Sequence, residues 1–140
     1  MQNLGSLQDL SEIERVLKKV HSIAVVGLSP KENRPSNMVA RYLIDKGYAI
    51  YPVNPGQTEI LGRKCYPDLE AIPDHIDLVD IFRRSEDIPP VVEQAIKIGA
   101  EAVWMQQGIV NEEAAALARD KGLFVVMDRC IKVDHSSLNI

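Results

Sequence analysis

Five short runs of apolar, often β-branched residues recur along the chain, most of them beside a glycine. They occupy residues 22–26, 48–53, 76–82, 102–105 and 123–127. Nearly continuous apolar runs of this length are typical of strands buried on both faces of a parallel sheet. The third run differs, because Asp77 and Asp80 interrupt it and indicate an edge strand with one exposed face. We therefore predict a five-stranded, mainly parallel sheet.

Helical segments with one apolar face lie between these runs. The first covers about residues 9–20 and has Ser11 and Glu14 at the spacing of a capping box. Three more helices are expected over residues 37–46, 89–98 and 111–122. Alternation of helices and strands predicts a doubly wound α/β sheet with strand order 3-2-1-4-5 and helices on both faces.

The length of the chain predicts a single domain. Its 140 residues suffice for one domain rather than two, and no linker or low-complexity segment divides them. We expect this domain to span residues 1–140, with its core at about 22–133. Residues 54–73 form a long connection with only a weak helical turn near 68–71, and long connections in compact domains are often functional.

Composition and charge exclude several classes of protein. Hydrophobic residues make up 46% and charged residues 26%, which is ordinary for a globular domain. The aromatic content of 5% disfavours a stacking platform for single-stranded nucleic acid, and the net charge of −4 disfavours general polyanion binding. No signal peptide or membrane span is recognisable, so we expect a cytoplasmic protein with neither nucleic acid nor a membrane as partner. The two cysteines have no metal-ligand spacing to a histidine, so no metal is expected.

Cationic residues nevertheless follow the predicted strands. In an open α/β sheet, ligands lie outside the carboxyl ends of the strands. The cations that fall at this edge are Lys31, Arg34, Arg63, Lys64, Arg83, Arg84 and Arg129. Scattered surface charge would not concentrate at one end of every strand, so a pocket for a polyanionic small molecule fits this pattern better than a solvated rim.

The turn after the first strand has the composition of a phosphate site. Gly27 lets the backbone approach a phosphate, Ser29 and Ser36 offer hydroxyls, and the next helix offers its N-terminus. This turn lacks the G-x-G-x-x-G pattern of dinucleotide sites, and strand 2 ends in Asn54 rather than an acid. These departures disfavour NAD. The neighbouring cations suit an extra ribose phosphate, which leaves NADP or a 3′-phosphorylated nucleotide such as coenzyme A.

Six segments carry a resemblance to a known family. They are GLSPKENRPS (27–36), YPVNPG (51–56), ILGRKCYPDLEAIP (60–73), VDIFRRSE (79–86), VWMQQGI (103–109) and VMDRC (126–130). Together they resemble the stand-alone CoA-binding domain proteins, which are similar to the N-terminal CoA-binding domain of the succinyl-CoA synthetase alpha subunit. The resemblance covers about residues 22–133 and is most specific in the string VNP…LGRKCYPDL. It implies a Rossmann-like domain that binds coenzyme A.

The resemblance also implies roles for individual residues. Those expected at the pyrophosphate are Gly27, Ser29, Lys31, Arg34 and Ser36. Those expected at the adenosine end and its 3′-phosphate are Val53, Asn54, Pro55, Arg63 and Lys64. Those expected beside the adenine are Phe82 and Arg83. Those expected toward the pantetheine arm are Gln106, Gln107, Arg129 and Cys130.

Ligase activity does not follow from the resemblance. The synthetase carries a phosphorylated histidine in a second domain, and no Gly-rich phosphate loop surrounds His135 in this chain. The first hypothesis is therefore a non-catalytic module that binds coenzyme A or an acyl-CoA. An exposed helix face or edge strand could also support a homodimer.

The second hypothesis is an enzyme, either an NADP-dependent reductase or a CoA-thiol redox protein. A cation such as Arg129 lowers the pKa of a neighbouring thiol, so Cys130 could form a mixed disulfide with coenzyme A. The alternative is that Cys130 and Cys65 are small core residues. Cys130 and His135 could also act as nucleophile and base, but no third orienting group is recognisable.

Overall fold

Helices and strands alternate along the chain as the hydrophobic pattern predicts. The structure, a computed structural model, describes residues 9–140. The helices are α1 (Leu10–Lys19), α2 (Pro35–Asp45), α3 (Ile88–Lys97), α4 (Glu112–Asp120) and α5 (Ile131–Leu138). The strands are β1 (Ser22–Val26), β2 (Ala49–Val53), β3 (Glu59–Ile60), β4 (Arg63–Lys64), β5 (Leu78–Ile81), β6 (Ala102–Met105) and β7 (Phe124–Val126). No helix in the described part of the chain combines the length and the apolar character needed to cross a bilayer.

Five of the strands form one parallel sheet in the order β2-β1-β5-β6-β7. β1 lies between two partners, because Ala24 is in register with Tyr51 of β2 and with Val79 of β5. β3 and β4 form a separate antiparallel hairpin. The predicted α/β class, with a five-stranded parallel sheet, is confirmed.

The place of the third sheet strand differs from the expected order. Counted along the sheet strands alone, the observed order is 2-1-3-4-5 rather than 3-2-1-4-5, because β5 lies beside β1. The prediction of an edge strand from its acidic residues is wrong. Asp80 is fully buried between Val25 and Trp104 of the two neighbouring strands. Burial raises the pKa of Asp80 well above its usual value, because a charge buried without a partner is unfavourable.

Each face of the sheet is covered by its own set of helices. Successive residues of a strand point to opposite faces, so every central strand contributes to two apolar layers. α1, α2 and α5 cover one face, where Leu43 shares a buried cluster with Val25. α3 and α4 cover the other face, where Val92 shares a buried cluster with Val79. Trp104 lies in the first of these layers and is fully buried.

The connection from β2 to β5 crosses the sheet without a long helix. It contains the β3–β4 hairpin and a short 3₁₀ turn, Leu69–Ala71, which confirms the helical turn predicted near 68–71. The Leu69 N–H donates to the Gln94 side chain of α3 at 3.0 Å, and Leu69 is buried beneath that helix. After the hairpin the chain passes beside the end of β2, where the Asn54 N–H donates to the Tyr66 carbonyl at 2.9 Å.

The helix starts show where local sequence signals succeed and fail. Asn111 caps α4 as predicted, because its side chain accepts from Ala114 N–H at 2.9 Å. The predicted capping box of α1 is wrong. The cap is Asp9, whose carboxylate accepts from the Ser11 N–H at 2.9 Å. α2 begins at Pro35, two residues earlier than predicted, because proline fits the first helical position.

Helix α5 has no counterpart in the predicted elements. Its buried side includes Asp134 and His135 beside Ile131, so the apolar periodicity that identifies the other helices is interrupted. Cys130 stands at its N-cap and makes no side-chain capping bond. Tertiary contacts with α1 and α2 accompany this helix where the sequence pattern is weak.

Candidate functional site

The loops after β1 and β5 meet at the centre of the carboxyl edge of the sheet. Gly27 follows β1 with a φ of 87°, and its N–H donates to the Val53 carbonyl at 2.8 Å. A Cβ atom at Gly27 would lie 2.2 Å from the carbonyl oxygen of Phe82, so only glycine fits. In this strand order β1 and β5 flank the topological switch point, where ligands of doubly wound sheets bind.

The loop after Gly27 is folded onto the first turn of α2. Ser29 N–H donates to the Ser36 hydroxyl at 2.9 Å, and the Asn37 side chain donates to the Ser29 carbonyl at 2.8 Å. Arg34 is the N-cap residue of α2 and makes no side-chain hydrogen bond to the helix. The N-terminus of α2 and its partial positive charge therefore remain directed at this loop.

A hollow of about 300 Å³ lies between this loop and β5. Its lining contains six of the residues predicted for the site, namely Gly27, Ser29, Lys31, Arg34, Ser36 and Phe82. Lys31 and Arg34 are exposed, whereas Ser36 is buried. The hollow thus combines two cations, hydroxyl groups and a helix N-terminus, which is the chemistry of a phosphate site.

A second, smaller hollow of about 150 Å³ lies on the α3 side of the same edge. Three predicted residues, Val53, Pro55 and Arg83, are part of its lining. The sequence did not single out its other walls, which are Val26, Pro67, Asp68, Leu69, Pro90, Val91 and Gln94. Most of these lining residues are apolar, so the sequence pattern predicts only core or loop positions for them. The smaller hollow suits a flat ring that lies beside a cation.

Asn54 connects the loop after β2 to the loop after β1. Its side-chain amide donates to the Leu28 carbonyl at 2.9 Å, and its side-chain oxygen accepts from Gly56 N–H at 2.9 Å. A carboxylate could not donate to the Leu28 carbonyl. The asparagine that departs from the NAD pattern is therefore required locally by the loop geometry.

The remaining predicted cations lie outside the two hollows. Arg63 is half-buried and donates to the Leu61 carbonyl at 3.0 Å within the β3–β4 hairpin. The Lys64 ammonium lies 5.3 Å from the centroid of the Tyr66 ring. Arg84 pairs with Asp87 at 3.2 Å on the surface. Contact of these residues with a ligand stays a prediction.

The residues predicted beside the pantetheine arm surround the start of α5. Gln106 is buried, and its side-chain oxygen accepts from Ile131 N–H at 3.2 Å. Arg129 makes two hydrogen bonds to Asp134 at 2.6 and 2.9 Å, and these raise the pKa of Arg129. Both side chains hold α5 in place. Gln107 is exposed and Cys130 is half-buried. Of the four predicted residues, these are the two whose side chains do not hold α5 in place.

The two cysteines and the C-terminal histidine have separate surroundings. Both cysteines are free thiols. Cys65 is buried, and this burial raises the pKa of its thiol, as expected for a core residue. His135 is also buried, and its Nδ1 lies 2.8 Å from the Tyr42 hydroxyl. Burial and the charge of Lys46 lower the pKa of His135. His135 also makes edge-on ring contacts with Tyr42 and Tyr48, so it joins α5 to α2 and to the residue before β2.

Comparison with known proteins identifies the class of this domain. Residues 21–136 match the family model described as a CoA binding domain. The chain therefore belongs to the CoA-binding domain family, as the sequence motifs predict. The uncharacterised protein YneT of Bacillus subtilis (strain 168) is 47% identical over 126 residues, covering 90% of this chain and 93% of that protein.

Two further similarities relate this chain to a small protein and to a large enzyme. A hypothetical protein from Pyrococcus horikoshii OT3 has a solved structure that matches with a TM-score of 0.93 and 42% identity, covering 100% of this chain and 98% of that one. Acetate–CoA ligase (ADP-forming) I of Archaeoglobus fulgidus is 29% identical over 126 residues. That match covers 83% of this chain but 18% of the ligase, so this chain spans less than a fifth of the enzyme's length.

Proposed function

We propose that this protein binds coenzyme A or an acyl-CoA at the carboxyl edge of its sheet and acts as a non-catalytic binding or regulatory module. The observation that carries the proposal is the hollow beside Gly27, where Lys31 and Arg34 meet the N-terminus of α2. Membership of the CoA-binding domain family supports the same ligand.

The pyrophosphate of the ligand is proposed to lie in the larger hollow. There the α2 N-terminus offers backbone N–H groups, and Lys31 and Arg34 offer charge from the exposed rim. Gly27 and the hydroxyl-bearing residues Ser29 and Ser36 line the same hollow, which supports this placement.

The adenine ring is proposed to occupy the smaller hollow on the α3 side. Its walls include Val53, Leu69 and Val91, with Arg83 at the rim. An apolar slot beside a guanidinium suits stacking of a flat base. Arg63 and Lys64 are then proposed to contact the 3′-phosphate from the hairpin, and Gln107 and Cys130 to face the pantetheine arm.

The absence of catalysis is part of the proposal. Within residues 9–140, Cys65 is buried with a raised thiol pKa, and His135 is bonded to Tyr42. These contacts support a binding role, because the candidate base His135 already has the Tyr42 hydroxyl as its partner and one of the two thiols is a buried core residue.

Calorimetric titration tests the ligand and its site. We expect the reduced protein to bind coenzyme A saturably and more tightly than NADP or NAD. Arg34→Ala and Lys31→Ala should each weaken binding about tenfold, which is the loss of one charge-assisted contact. Lys121→Ala is the matched control, since this exposed lysine precedes β7 at the opposite edge and should leave affinity unchanged.

Two outcomes would contradict the proposal. Binding of NADP with no response to coenzyme A would favour the reductase hypothesis. Affinity for coenzyme A that depends on Cys130 under oxidising conditions, and is lost in Cys130→Ser, would favour the redox protein. Equal affinity of wild type and Cys130→Ser in oxidising and reducing buffer is the result expected for a non-redox module.

A further inference from the structure

The amino edge of the sheet, opposite the proposed CoA site, carries a cluster of three metal-ligating side chains. His75 and Asp77 lie in the loop before β5, and Glu101 lies directly before β6. The cluster is formed by strand pairing, because Glu101 N–H donates to the Asp77 carbonyl at 2.8 Å. Sequence spacing could not reveal it, since Glu101 is distant from the other two residues along the chain.

The three side chains bring one potential ligand atom each close together. The His75 Nε2 atom lies 3.2 Å from Asp77 Oδ1 and 3.8 Å from Glu101 Oε2. One potential ligand atom from each residue lies within 4.8 Å of the other two. Ligands about 2.0–2.2 Å from a tetrahedral zinc ion are about 3.4 Å apart, so the two separations from His75 Nε2, 3.2 and 3.8 Å, need only small adjustment.

The remaining oxygen of each carboxylate already has a protein partner. Asp77 Oδ2 accepts from the His21 N–H at 2.7 Å and from the Ser22 N–H at 3.2 Å. Glu101 Oε1 pairs with the Lys19 ammonium at 3.1 Å. Metal-binding carboxylates are commonly oriented by such outer contacts, which leave the other oxygen free for the ion.

An ion pair between His75 and one carboxylate does not engage all three side chains. The distance of 3.8 Å between His75 Nε2 and Glu101 Oε2 is too long for a hydrogen bond. A hydrogen bond from the His75 side chain to Asp77 therefore leaves Glu101 Oε2 outside hydrogen-bond reach of that imidazole nitrogen. A divalent ion would bind all three atoms at once.

We propose that His75, Asp77 and Glu101 form a binding site for a divalent transition-metal ion, with Zn²⁺ as the best fit. One imidazole nitrogen with two carboxylate oxygens suits zinc better than calcium or magnesium, which prefer oxygen ligands throughout. The ion would join the starts of β5 and β6 and, through Asp77 Oδ2, the start of β1. A fourth position would remain open to water.

Zinc titration of the untagged full chain tests this site directly. Competition with a chromophoric chelator should give one ion per chain, and Co²⁺ should produce the visible absorption of a four-coordinate site. His75→Ala and Glu101→Gln should each weaken zinc binding by at least about 100-fold, since even outer contacts of metal sites contribute up to that factor. His21→Ala is the matched control, because His21 is an exposed histidine at the same edge that lies outside the cluster.

Asp77 is left intact in this design, because its carboxylate also holds the backbone at the start of β1. Thermal unfolding without metal should be similar for wild type and Glu101→Gln, which verifies that the variant folds. Failure of the wild type to bind zinc at millimolar concentration would overturn the proposal. Equal zinc affinity of His75→Ala and wild type would overturn it as well, because the ion would then lie elsewhere.

Discussion

At the scale of single residues, Gly27 carries the tightest steric requirement of the proposed site. Its φ of 87° lies in a region that side chains avoid, and the Phe82 carbonyl occupies the space where a Cβ would lie. Gly122 has nearly the same φ, 86°, but nothing lies within 4 Å of its missing Cβ. Alanine variants at these two glycines therefore separate the free-energy cost of the backbone conformation from that of the steric clash.

Gly27→Ala should lower the free energy of unfolding by more than about 3 kcal/mol, because strain and clash add at this position. Gly122→Ala should lower it by about 1–2 kcal/mol, the cost of the positive φ alone. Urea unfolding followed by circular dichroism measures both values. Equal losses in the two variants would show that the loop at Phe82 adjusts without cost.

Asp80 is the second residue whose surroundings make a sharp prediction. Its carboxyl is fully buried in a central strand, and neither oxygen has a hydrogen-bond partner within residues 9–140. Burial raises the pKa of Asp80 well above the usual value of 3.8, so the folded state retains a proton that the unfolded state loses. The stabilising effect of that proton is complete below the unfolded pKa and is lost as the pH rises through the folded pKa.

Asp80→Val should therefore be more stable than wild type above neutral pH, because valine needs no desolvation and fits a buried strand. The gain should shrink as the pH falls through the unfolded value of 3.8, because below it the carboxyl is protonated in both states. Denaturant unfolding at several pH values measures the difference. A variant that is less stable than wild type at every pH would show that the carboxyl has a stabilising partner in solution.

At the scale of elements, α5 depends on polar contacts at its start rather than on an apolar stripe. Gln106 accepts from the first N–H of the helix, and Arg129 is paired with Asp134, whose side chain is 6% exposed. The Trp104 indole also donates to the Arg129 carbonyl at 2.8 Å. These contacts connect β6, β7 and α5 at the carboxyl edge.

Asp134→Asn should lower the free energy of unfolding by about 1–3 kcal/mol, because a half-buried guanidinium loses its paired charge. Glu14→Gln is the control, since the Glu14–Lys18 pair is exposed and its loss should cost less than about 0.5 kcal/mol. Chemical denaturation measures both variants. Equal losses of unfolding free energy would mean that burial does not make the Arg129–Asp134 pair more stabilising than the exposed Glu14–Lys18 pair.

At the scale of the whole molecule, net charge and local charge have opposite signs. The chain carries a net charge of −4, whereas Lys31 and Arg34 line the larger hollow at the carboxyl edge. An anionic ligand is repelled by the net charge of the chain and attracted by the two cations at the larger hollow. The close charges dominate, because a Debye length of about 8 Å at physiological salt screens distant charges more strongly.

The affinity for coenzyme A should therefore fall several-fold between about 0.05 and 0.5 M NaCl. Lys31→Ala should show a shallower dependence on salt, because it has one attractive charge fewer. Calorimetric titrations over a salt series measure both slopes. Affinity that rises with salt would mean that the net negative charge governs the encounter.

Much of the fold follows from short-range patterns that the chain displays directly. The apolar run 102–105 coincides with β6, and Asn111 caps α4 as its side-chain chemistry predicts. These features depend on local period and on local capping, which need no knowledge of neighbours in space. The position of α5 did not follow, because its buried side contains Asp134 and His135.

The candidate site follows the same division. The cations after each strand could be collected from the sequence, because parallel strands place their carboxyl ends at one edge. The structure then separates them: Lys31, Arg34 and Arg83 line hollows, whereas Arg129 is paired with Asp134. Local sequence patterns do not reveal such partners, since these depend on how the elements pack together.

Local alternation, turn residues and motifs were thus sufficient for the α/β class and the CoA-binding family. Long-range packing was needed to place β5 beside β1, to bury Asp80 and to bring His75 and Asp77 to Glu101. The physical reason is that strand order and side-chain burial are set by the free energy of the whole packed sheet. No short segment of the chain contains that sum.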